Sequence, residues 1–412
     1  MRSILLIVPL ILLLQTAEVL ARVPDAADGS PVPDSTSRRS FGEVWRDVNT
    51  RLQENKARKI EEGKVIISPA IMPGYNPELK FMLTGGGIIS WTNNKKNKEL
   101  PRSNMAVGFA MSTTGGMVIN LRPVTFWADD RFRFNAGFWY KYMPDNYWGI
   151  GYQHGFETPE SDTTTAFQRR WLQIKTEALF RIRGDLFAGP AFDVNYTRGS
   201  KESAGVLADP NYMIYNDRPM NTGIGAVIRY DSRDITVNAW KGLYLNMEYL
   251  FYSPALGGDN KYQVALLDYR QYHRIRHRDG NVLTWHLYSR VSFGEVPYGE
   301  MSQLGNPFGL RGYTWGQYRD KSMTYGLVEY RHTFRKPDGS LRRHGVVAWV
   351  GAGGIYDLEE NDFGGNRTSG NKLLPNAGIG YRLEVQPRLN MRLDFGVGRQ
   401  TTGFYFNVVE AF

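Results

Sequence analysis

The chain contains no cysteine among its 412 residues, and its only long apolar run lies at the extreme N-terminus. The lack of cysteine excludes a disulfide-stapled domain, a thiolate metal site and a lipid anchor on an N-terminal cysteine. A helical membrane protein needs about 20 consecutive apolar residues for each span, so the absence of such runs excludes that class as well. Acidic and basic residues are interspersed, with 41 Asp or Glu and 50 Lys or Arg. This pattern indicates a charged surface or lumen, and no nucleic-acid partner is expected.

Several catalytic and metal-binding patterns are also missing from the sequence. It has no G-x-S-x-G element, no H-E-x-x-H element and no Walker loop. Its six histidines show no ligand spacing. We therefore expect no enzymatic activity, no cofactor and no metal, with a barrel hydrolase built from scattered Ser, His and Asp residues as the alternative class. The basic stretch over 273–280 is interpreted as a solvated turn or rim, with a lipid-headgroup contact as the alternative.

The N-terminal residues have the layout of a secretory signal peptide. Arg2 provides a positive start, residues 4–14 are apolar, and residues 19–21 form a permissive cleavage site. The prediction is a signal peptide over 1–21, with a buried N-terminal helix as the alternative. Residues 22–40 are rich in Pro, Ser and Asp, which predicts a disordered linker.

A short amphipathic helix is predicted between the linker and the body of the chain. Apolar residues recur at three- and four-residue spacing over 41–60, as the buried face of a helix requires. This helix is expected to pack on the end of the main domain, and the alternative is a periplasmic plug or a helix that docks a partner. Residues 41–78 as a whole are predicted to hold the helix and an extended, proline-interrupted lead-in.

From residue 79 onward the apolar residues recur with a period of two. Over 131–142, aromatic and apolar side chains alternate with mainly polar or small ones, and the same alternation occurs over 243–251, 283–291 and 389–398. Successive side chains of a strand point to opposite faces of a sheet. Strands of ten or more residues with one apolar face are typical of a membrane barrel, because strands of soluble proteins average about five or six residues. A secreted soluble β-protein is the alternative.

The strand count predicts the size of the barrel. Sixteen candidate strands lie between residues 79 and 412, and an even number closes an antiparallel barrel with both ends on one side. The predicted fold class is therefore all-β, a 16-stranded antiparallel transmembrane β-barrel over 79–412 preceded by a short N-terminal helix. The candidates include residues 147–156 as the fifth strand. They also include residues 402–412 as the last strand, which ends on the aromatic Phe412.

Three sequence elements together form a recognisable pattern. The first is Leu310, Arg311, Gly312 and Tyr313, an LRGY run after the eleventh candidate strand, and the second is Tyr230, Asp231, Arg233 and Asp234 in the run YDSRD. The third is the C-terminal run over 392–412. In order, these elements resemble the (V/L)RG(F/Y) motif, the YDTRD-like strand motif and the last two strands of the BamA/TamA/FhaC superfamily of outer-membrane assembly and translocation barrels, whose barrel is the bacterial surface antigen domain.

The resemblance implies a bacterial outer-membrane location and a loop inserted into the lumen. Arginine provides a planar, bidentate donor for carboxylates, and glycine permits a sharp turn beside it. Tyr313 is expected to pack against the wall. Because Glu329 and Arg331 share one face of the twelfth predicted strand, Glu329 is the expected partner of Arg311, as the resemblance also implies. The alternative is that Arg311 is an ordinary loop residue in solvent.

The sequence departs from the family pattern in two places. Family members often carry an Asp in the next strand as a second partner of the loop arginine, where this chain has Gly351. The anchor is then expected to be weaker or to use another carboxylate, such as Asp394. Residues 22–78 are too few for a POTRA module, so the resemblance is to the POTRA-less branch of the family.

Glycines are concentrated in the first and last predicted strands. Glycine weakens a strand and leaves little side-chain packing. If these strands pair poorly, the seam between them can part sideways and admit a client strand by β-augmentation. The alternative is that the glycines allow barrel curvature or close approach of the inserted loop. The seam glycines are Gly85, Gly86, Gly87, Gly396, Gly398 and Gly403.

The expected function is assistance in the insertion or translocation of proteins, or of lipids, at the outer membrane. The alternative is a passive, porin-like channel that the inner loop constricts. The expected partners are outer-membrane lipid, lipopolysaccharide, and unfolded or exported client proteins. The barrel is expected to be monomeric.

Overall fold

The computed structural model describes residues 50, 54–55, 57–76, 80–97, 99–359 and 372–412 of the protein. The predicted signal peptide over 1–21 and the predicted linker over 22–40 lie outside these residues. Most of the predicted helix over 41–60 also lies outside them, and residues 57–61 are helical. None of the helices in the described part of the chain is both long enough and apolar enough to cross a bilayer.

Within the described residues, sixteen antiparallel strands form one sheet, and two short strands form a separate pair. In chain order the strands are β1 Ile66–Asn76, β2 Lys80–Trp91, β3 Ser103–Ser112, β4 Met117–Trp127, β5 Phe132–Asn146, β6 Ala166–Arg183, β7 Leu186–Ser200, β8 Met220–Asp231, β9 Gly242–Tyr252, β10 Tyr262–Arg274, β11 Asn281–Gly294, β12 Ser302–Gln303, β13 Arg319–Asp320, β14 Ser322–Arg335, β15 Leu341–Tyr356, β16 Leu374–Gln386, β17 Leu389–Val397 and β18 Thr402–Val408. The large sheet runs from β1 to β11 and continues from β14 to β18. Short helices occur at Tyr152–Glu157, Ala204–Leu207 and Pro210–Asn216, with 3-10 turns at Pro254–Leu256 and Ile275–His277.

The alternation of apolar and polar residues in the sequence gives the barrel wall an apolar outer face and a polar inner face. On β17, Leu393, Phe395 and Val397 are 38–46% exposed on the outside, whereas Arg392 and Asp394 are fully buried inside. An apolar outer face and a polar interior are what a barrel in lipid requires. The predicted assignment of faces on this strand is confirmed.

Residues 147–156, predicted as the fifth strand, do not form a strand. They form a loop that leads into the helix Tyr152–Glu157. Gly149 and Gly151 have φ angles of +93° and +92°, which lie outside the usual range of an extended strand. Tyr147 is buried, and its ring centre lies 5.8 Å from that of Tyr298 in another loop. The aromatic pattern of this stretch therefore reflects packing between loops.

The extended lead-in before residue 79 belongs to the sheet. Residues 66–76 form β1, which pairs with β2 along its whole length. Pro69 and Pro73 disfavour a strand by sequence, but proline is tolerated where a strand has no partner on the side of the missing N–H. The sequence prediction lacks β1 and includes a strand over 147–156 that does not form. The predicted count of sixteen and the predicted position of the eleventh strand therefore still agree with the structure.

The connections give the barrel two different rims. Short turns such as 128–131, 184–185 and 336–340 lie at the rim where β1 begins and β18 ends. The long connections 147–165 and 295–321 lie at the other rim. Outer-membrane barrels have short periplasmic turns and longer extracellular loops. We therefore call the first the periplasmic rim and the second the extracellular rim.

The connection between β11 and β14 fills part of the barrel interior. Its apolar and aromatic side chains pack against β14, β15 and the end of the chain. This core contains Leu304, Leu310, Tyr313, Tyr318, Met323, Tyr325, Leu327, Trp349 and Phe412. A second aromatic cluster joins the long loops at the extracellular rim and contains Tyr147, Phe167, Tyr212, Tyr215 and Tyr298.

The end of the chain turns into the barrel. β18 ends at Val408, and Val409 has a φ angle of +71°. Phe412 is 6% exposed, and its ring centre lies 4.8 Å from that of His286 on the inner face of β11. The prediction that residues 402–412 form one continuous strand is therefore wrong for the last four residues.

Candidate functional site

The connection between β11 and β14 is the candidate site because it carries the Leu310–Tyr313 motif into the barrel. Its two ends are held together where β12 pairs with β13, with Ser302 opposite Asp320. Between these strands the chain enters the lumen, and Leu310, Arg311 and Tyr313 are each at most 2% exposed. We call residues 304–318 the lumenal loop.

Arg311 bridges two strands of the barrel wall. One terminal nitrogen of its guanidinium donates to Asp394 of β17 at 2.8 Å, and the other donates to Glu329 of β14. All three side chains are fully buried. Removing one member of a buried ion pair leaves an uncompensated charge, which costs several kcal/mol. Arg311 therefore fixes the lumenal loop to the wall.

One face of the Arg311 guanidinium also packs against an aromatic ring. The guanidinium carbon atom lies 3.5 Å from the ring centre of Trp349 on β15, a cation–π contact. The Trp349 indole N–H donates to Asn376 of β16 at 2.9 Å, and the Asn376 amide donates to the Arg311 backbone carbonyl. A lysine at this position would lack both the planar face and the paired donors.

Gly312 and Tyr313 make close contacts with the wall. Gly312 has a φ angle of +107°, and a Cβ atom there would lie 2.8 Å from the carbonyl carbon of Gly396. Its backbone N–H donates to the Tyr405 hydroxyl at 2.9 Å. The Tyr313 hydroxyl donates to the Pro375 carbonyl at 2.5 Å. These contacts require a glycine and a tyrosine beside Arg311.

Asp394 is shared by three arginines. Besides Arg311, it accepts from Arg382 and from Arg392 at 2.6 Å each. Arg392 also donates to the backbone carbonyl of Pro307 in the lumenal loop at 2.7 Å. The inner wall thus holds the lumenal loop at two places. Asp394 binds Arg311 directly, and Arg392, which pairs with Asp394, binds the loop at Pro307.

The end of the chain completes the buried network. Glu410 accepts from Arg382 at 2.8 Å. Glu329 accepts from Arg331 at 2.8 Å, and Arg331 donates to the Phe412 carbonyl at 2.8 Å. Each charge in the network has an oppositely charged neighbour, as burial requires.

Gly351 occupies the position where the resemblance implies an acidic residue. A Cβ atom there would lie 2.4 Å from Leu327 Cδ2 and 2.4 Å from the Gly326 carbonyl oxygen. The packing therefore leaves no room for a carboxylate on this part of β15. Asp394 on β17 makes the second contact with Arg311.

The first part of the Tyr230–Asp234 motif lies at the periplasmic rim, where β8 ends. The Asp231 carboxylate accepts two hydrogen bonds of 2.8 Å from the Arg233 guanidinium. The guanidinium carbon lies 4.4 Å from the ring centre of Tyr244. This pair stiffens the exit of β8 and has no contact with the lumenal loop among the described residues.

The last residue of this motif ties two distant turns together. Asp234 accepts from the Trp240 backbone N–H at 3.0 Å and pairs with Arg388 of the β16–β17 turn at 3.0 Å. Burial raises the pKa of Asp234, but these two contacts outweigh it and keep the pKa below its ordinary value. Arg388 also donates to the Asn238 carbonyl at 3.1 Å. The 232–241 turn is thereby attached to the opposite part of the periplasmic rim.

The first group of predicted seam glycines does not lie in the first strand. Gly85, Gly86 and Gly87 belong to β2, because β1 precedes them. A Cβ atom at Gly86 would lie 2.1 Å from the Val107 carbonyl oxygen of β3. These glycines allow close approach of neighbouring backbones inside the wall, and their placement at the seam is wrong.

The second group faces the lumenal loop or its supports. Gly396 contacts the Arg311 backbone, and a Cβ atom at Gly398 would lie 2.6 Å from the Tyr313 ring. A Cβ atom at Gly403 would lie 2.3 Å from the Tyr405 hydroxyl. These positions fit the alternative interpretation, in which the glycines permit close approach of the loop.

Sequence reasoning missed several residues of this site. The period of two places Arg392 on the inner face of its strand and could have indicated it. Trp349 and Asn376 carry no motif, because their contact with Arg311 depends on strand register. Glu410 reaches the network only because the chain turns inward after β18.

Residues 107–412 match the family description "Omp85 superfamily domain". This range covers well over half of the chain. The chain belongs to the Omp85 superfamily. A search among curated protein sequences finds no significant match.

Three solved structures have a fold similar to this Omp85 barrel. BamA from Haemophilus ducreyi lacking POTRA domains 1–3 is 12% identical, with a TM-score of 0.56 over 90% of this chain and 80% of that chain. CdiB from Acinetobacter baumannii is 11% identical, with a TM-score of 0.51 over 84% and 60%. CdiB from Escherichia coli is 9% identical, with a TM-score of 0.53 over 87% and 69%.

At these identities the likeness concerns the fold alone, and the chain spans only 60% of the Acinetobacter CdiB chain. The expected 16-stranded, BamA-like barrel is confirmed. The family and the fold place this Omp85 protein in the bacterial outer membrane, as expected.

Proposed function

We propose that this Omp85 barrel assists the insertion or translocation of client proteins at the outer membrane. The observation that carries the proposal is the lumenal loop, whose Arg311 and Gly312 are seated on the wall of a barrel from a transport and assembly family. A loop anchored in this way keeps the lumen closed while the wall beside it engages a client. No covalent chemistry, cofactor or metal enters the proposal.

A passive channel is the weaker candidate. Arg311, Tyr313 and Tyr318 of the lumenal loop are almost fully buried against the wall. A selective pore instead needs charged side chains that line a path open to water. Charges that are buried and mutually paired do not provide such a path.

We place client entry at the seam between β1 and β18. β18 has 7 residues and β17 has 9, whereas β15 has 16. Ladders join the successive strands of the sheet, and none between β1 and β18 occurs among the described residues. A strand edge with free N–H and C=O groups is a template for pairing with an incoming strand. The glycines of β17 and β18 keep the lumenal loop close behind this edge.

The proposal assigns a partner to each surface. Unfolded or exported client proteins contact the seam. The apolar outer face contacts outer-membrane lipid and, on the extracellular side, lipopolysaccharide. The barrel acts as a single chain.

Quantitative proteomics of isolated outer membranes tests the proposal. The strains carry wild type, a deletion, Arg311→Ala, or the control Arg218→Ala, whose side chain is exposed on an extracellular loop. Immunoblots confirm equal amounts of barrel in the three expressing strains. We expect the deletion and Arg311→Ala to deplete the same set of outer-membrane or exported proteins, and Arg218→Ala to leave them unchanged.

The depleted set names the clients. An unchanged proteome in the deletion strain refutes a role in protein assembly. A large, stable open state in single-channel recordings of the wild-type protein would then favour the channel.

A further inference from the structure

Two neighbouring turns of the periplasmic rim are strongly basic. The segments 273–280 and 335–344 together contain seven Arg or Lys, three His and only two Asp. They form the β10–β11 and β14–β15 turns with the adjoining strand ends. We call these two segments the basic rim. Its composition differs from the balanced charge of the chain as a whole.

The fold joins the two segments into one surface. β11 pairs with β14, and Asn281 lies opposite His332 at the start of that ladder. The Arg335 guanidinium donates to the Asp279 carbonyl at 2.7 Å and to the Gly339 carbonyl at 2.7 Å. A groove of about 510 Å³ lies between the turns and is lined by His277, Arg278, Asp279, Arg335 and Gly339.

Most of the positive charge of the basic rim is not neutralised by the part of the chain that the structure describes. Arg274 pairs with Asp279 at 2.7 Å. Arg276, Arg278 and Arg343 are exposed and form no ion pair with any described residue. Such a cluster attracts anions, and its attraction is long-ranged at low salt.

The basic rim borders the lipid-facing surface of the barrel. His273 stacks on Trp285, with 4.8 Å between ring centres. His344 hydrogen-bonds to the Tyr381 hydroxyl, and Phe334 and Tyr381 are each 38% exposed on the outer face. Girdles of aromatic side chains flank the apolar band of a membrane barrel at both interfaces with water, at the level of the lipid headgroups. The cations of the basic rim therefore lie at or just beyond the phosphate level.

Another part of the same rim shows that this charge is not a general property of the turns. At the β4–β5 and β6–β7 turns, Asp130 accepts from Arg133 at 2.7 Å and also pairs with Arg181. Arg131 and Arg183 are exposed there, but they lie among Asp129, Asp130 and Asp185. That part of the rim is nearly neutral and provides a matched control.

We propose that the basic rim binds the phosphate headgroups of anionic glycerophospholipids in the periplasmic leaflet of the outer membrane. Guanidinium groups bind phosphate oxygens through paired hydrogen bonds, and clusters of four to eight Lys or Arg beside a membrane bind anionic lipid. The adjacent exposed aromatic side chains contact the acyl chains of the same lipid. An acidic protein partner fits less well, because the cations flank the lipid-facing wall. This inference is independent of any client protein.

Native mass spectrometry and fluorescence titration of the full chain, purified from outer membranes in detergent, test the proposal. The probe is phosphatidylglycerol, with phosphatidylcholine as the neutral lipid. The variants are Arg278→Gln with Arg343→Gln, and the control Arg131→Gln with Arg183→Gln. We expect saturable phosphatidylglycerol binding that is weakened about tenfold or more in the first variant and unchanged in the control. Added salt weakens binding by wild type.

Three outcomes would overturn the proposal. Equal phosphatidylglycerol affinity in the two double variants would show that the basic rim is not the site. Displacement of the lipid by millimolar inorganic phosphate would identify a site for free phosphate. Tighter binding of a poly-glutamate peptide than of phosphatidylglycerol would identify a protein-docking surface. Heat-modifiable migration on gels confirms that each variant is folded, so that weakened binding reports on the site.

Discussion

The backbone of Gly312 lies directly against the backbone of Gly396 on the inner face of β17. A Cβ atom at Gly396 would lie 2.7 Å from the Arg311 carbonyl oxygen, and one at Gly312 would lie 2.8 Å from the Gly396 carbonyl carbon. Both distances are well below the roughly 3.5–4.0 Å of favourable carbon contacts. The contact exists only because neither residue has a side chain. It brings Arg311 within reach of Asp394.

Replacement of Gly396 by alanine is expected to displace the lumenal loop from the wall. The added methyl group meets the backbone of Arg311 and Gly312, so we expect a loss of about 1–3 kcal/mol in the free energy of unfolding. Urea unfolding in lipid vesicles measures this loss. Gly326→Ala is the control, because a Cβ atom there meets no heavy atom within 4 Å. Equal stability of the two variants would contradict the expectation.

The Arg311→Lys substitution is expected to keep the positive charge but to lose the bridge between β14 and β17. A lysine cannot donate in parallel to Glu329 and Asp394 or stack on Trp349. We expect a loss of about 2 kcal/mol or more, and a larger loss of about 3–5 kcal/mol for Arg311→Ala. A double-mutant cycle with Asp394→Asn separates the pair from the rest of the network. Wild-type stability of Arg311→Lys would argue that charge alone holds the loop.

The inner wall of β17 was predictable because one strong pattern controls it. The alternation over 389–398 places Arg392 and Asp394 inside whatever the register with neighbouring strands. The pairing of Arg311 with Glu329 followed from the same alternation on β14 together with the motif. These features depend on local sequence and on one period, which a single chain displays.

Features that depend on distant packing were not predictable. Residues 147–156 alternate like a strand, yet Gly149, Gly151 and the aromatic loop cluster give them another structure. Phe412 ends a stretch with strand periodicity, but the φ angle of Val409 turns it into the barrel. The contact between Asp234 and Arg388 joins residues 154 positions apart, and neither carries a signal that identifies the other.

The contact between Asp234 and Arg388 is expected to weaken in acid. Because the pKa of Asp234 is lowered in the folded protein, its stabilising contribution is complete above the pKa of the unfolded chain. It is lost as the pH falls through the lower, folded-state pKa, below about pH 4. The stability difference between wild type and Asp234→Asn should therefore shrink as the pH falls. A difference that grows in acid would contradict the assignment.

The seam between β1 and β18 is expected to open when a client is processed. The chain has no cysteine, so a disulfide within the chain can form only between the two cysteines that are introduced. Ile67→Cys in β1 is combined in turn with Phe404→Cys, Phe406→Cys and Val408→Cys in β18, and the pair that crosslinks under oxidation is kept. The control pair is Met247→Cys with Leu267→Cys, which lie opposite each other in β9 and β10.

A crosslinked seam should deplete the same outer-membrane proteins as the deletion, because client strands can no longer pair with the strand edges. Reduction of the disulfide should restore them, since the barrel itself is unchanged. The β9–β10 crosslink should have no effect, because those strands stay paired throughout. A normal outer-membrane proteome with the β1–β18 crosslink fully formed would exclude lateral opening at this seam. The glycines of β17 and β18 would then be explained by the close approach of the lumenal loop alone.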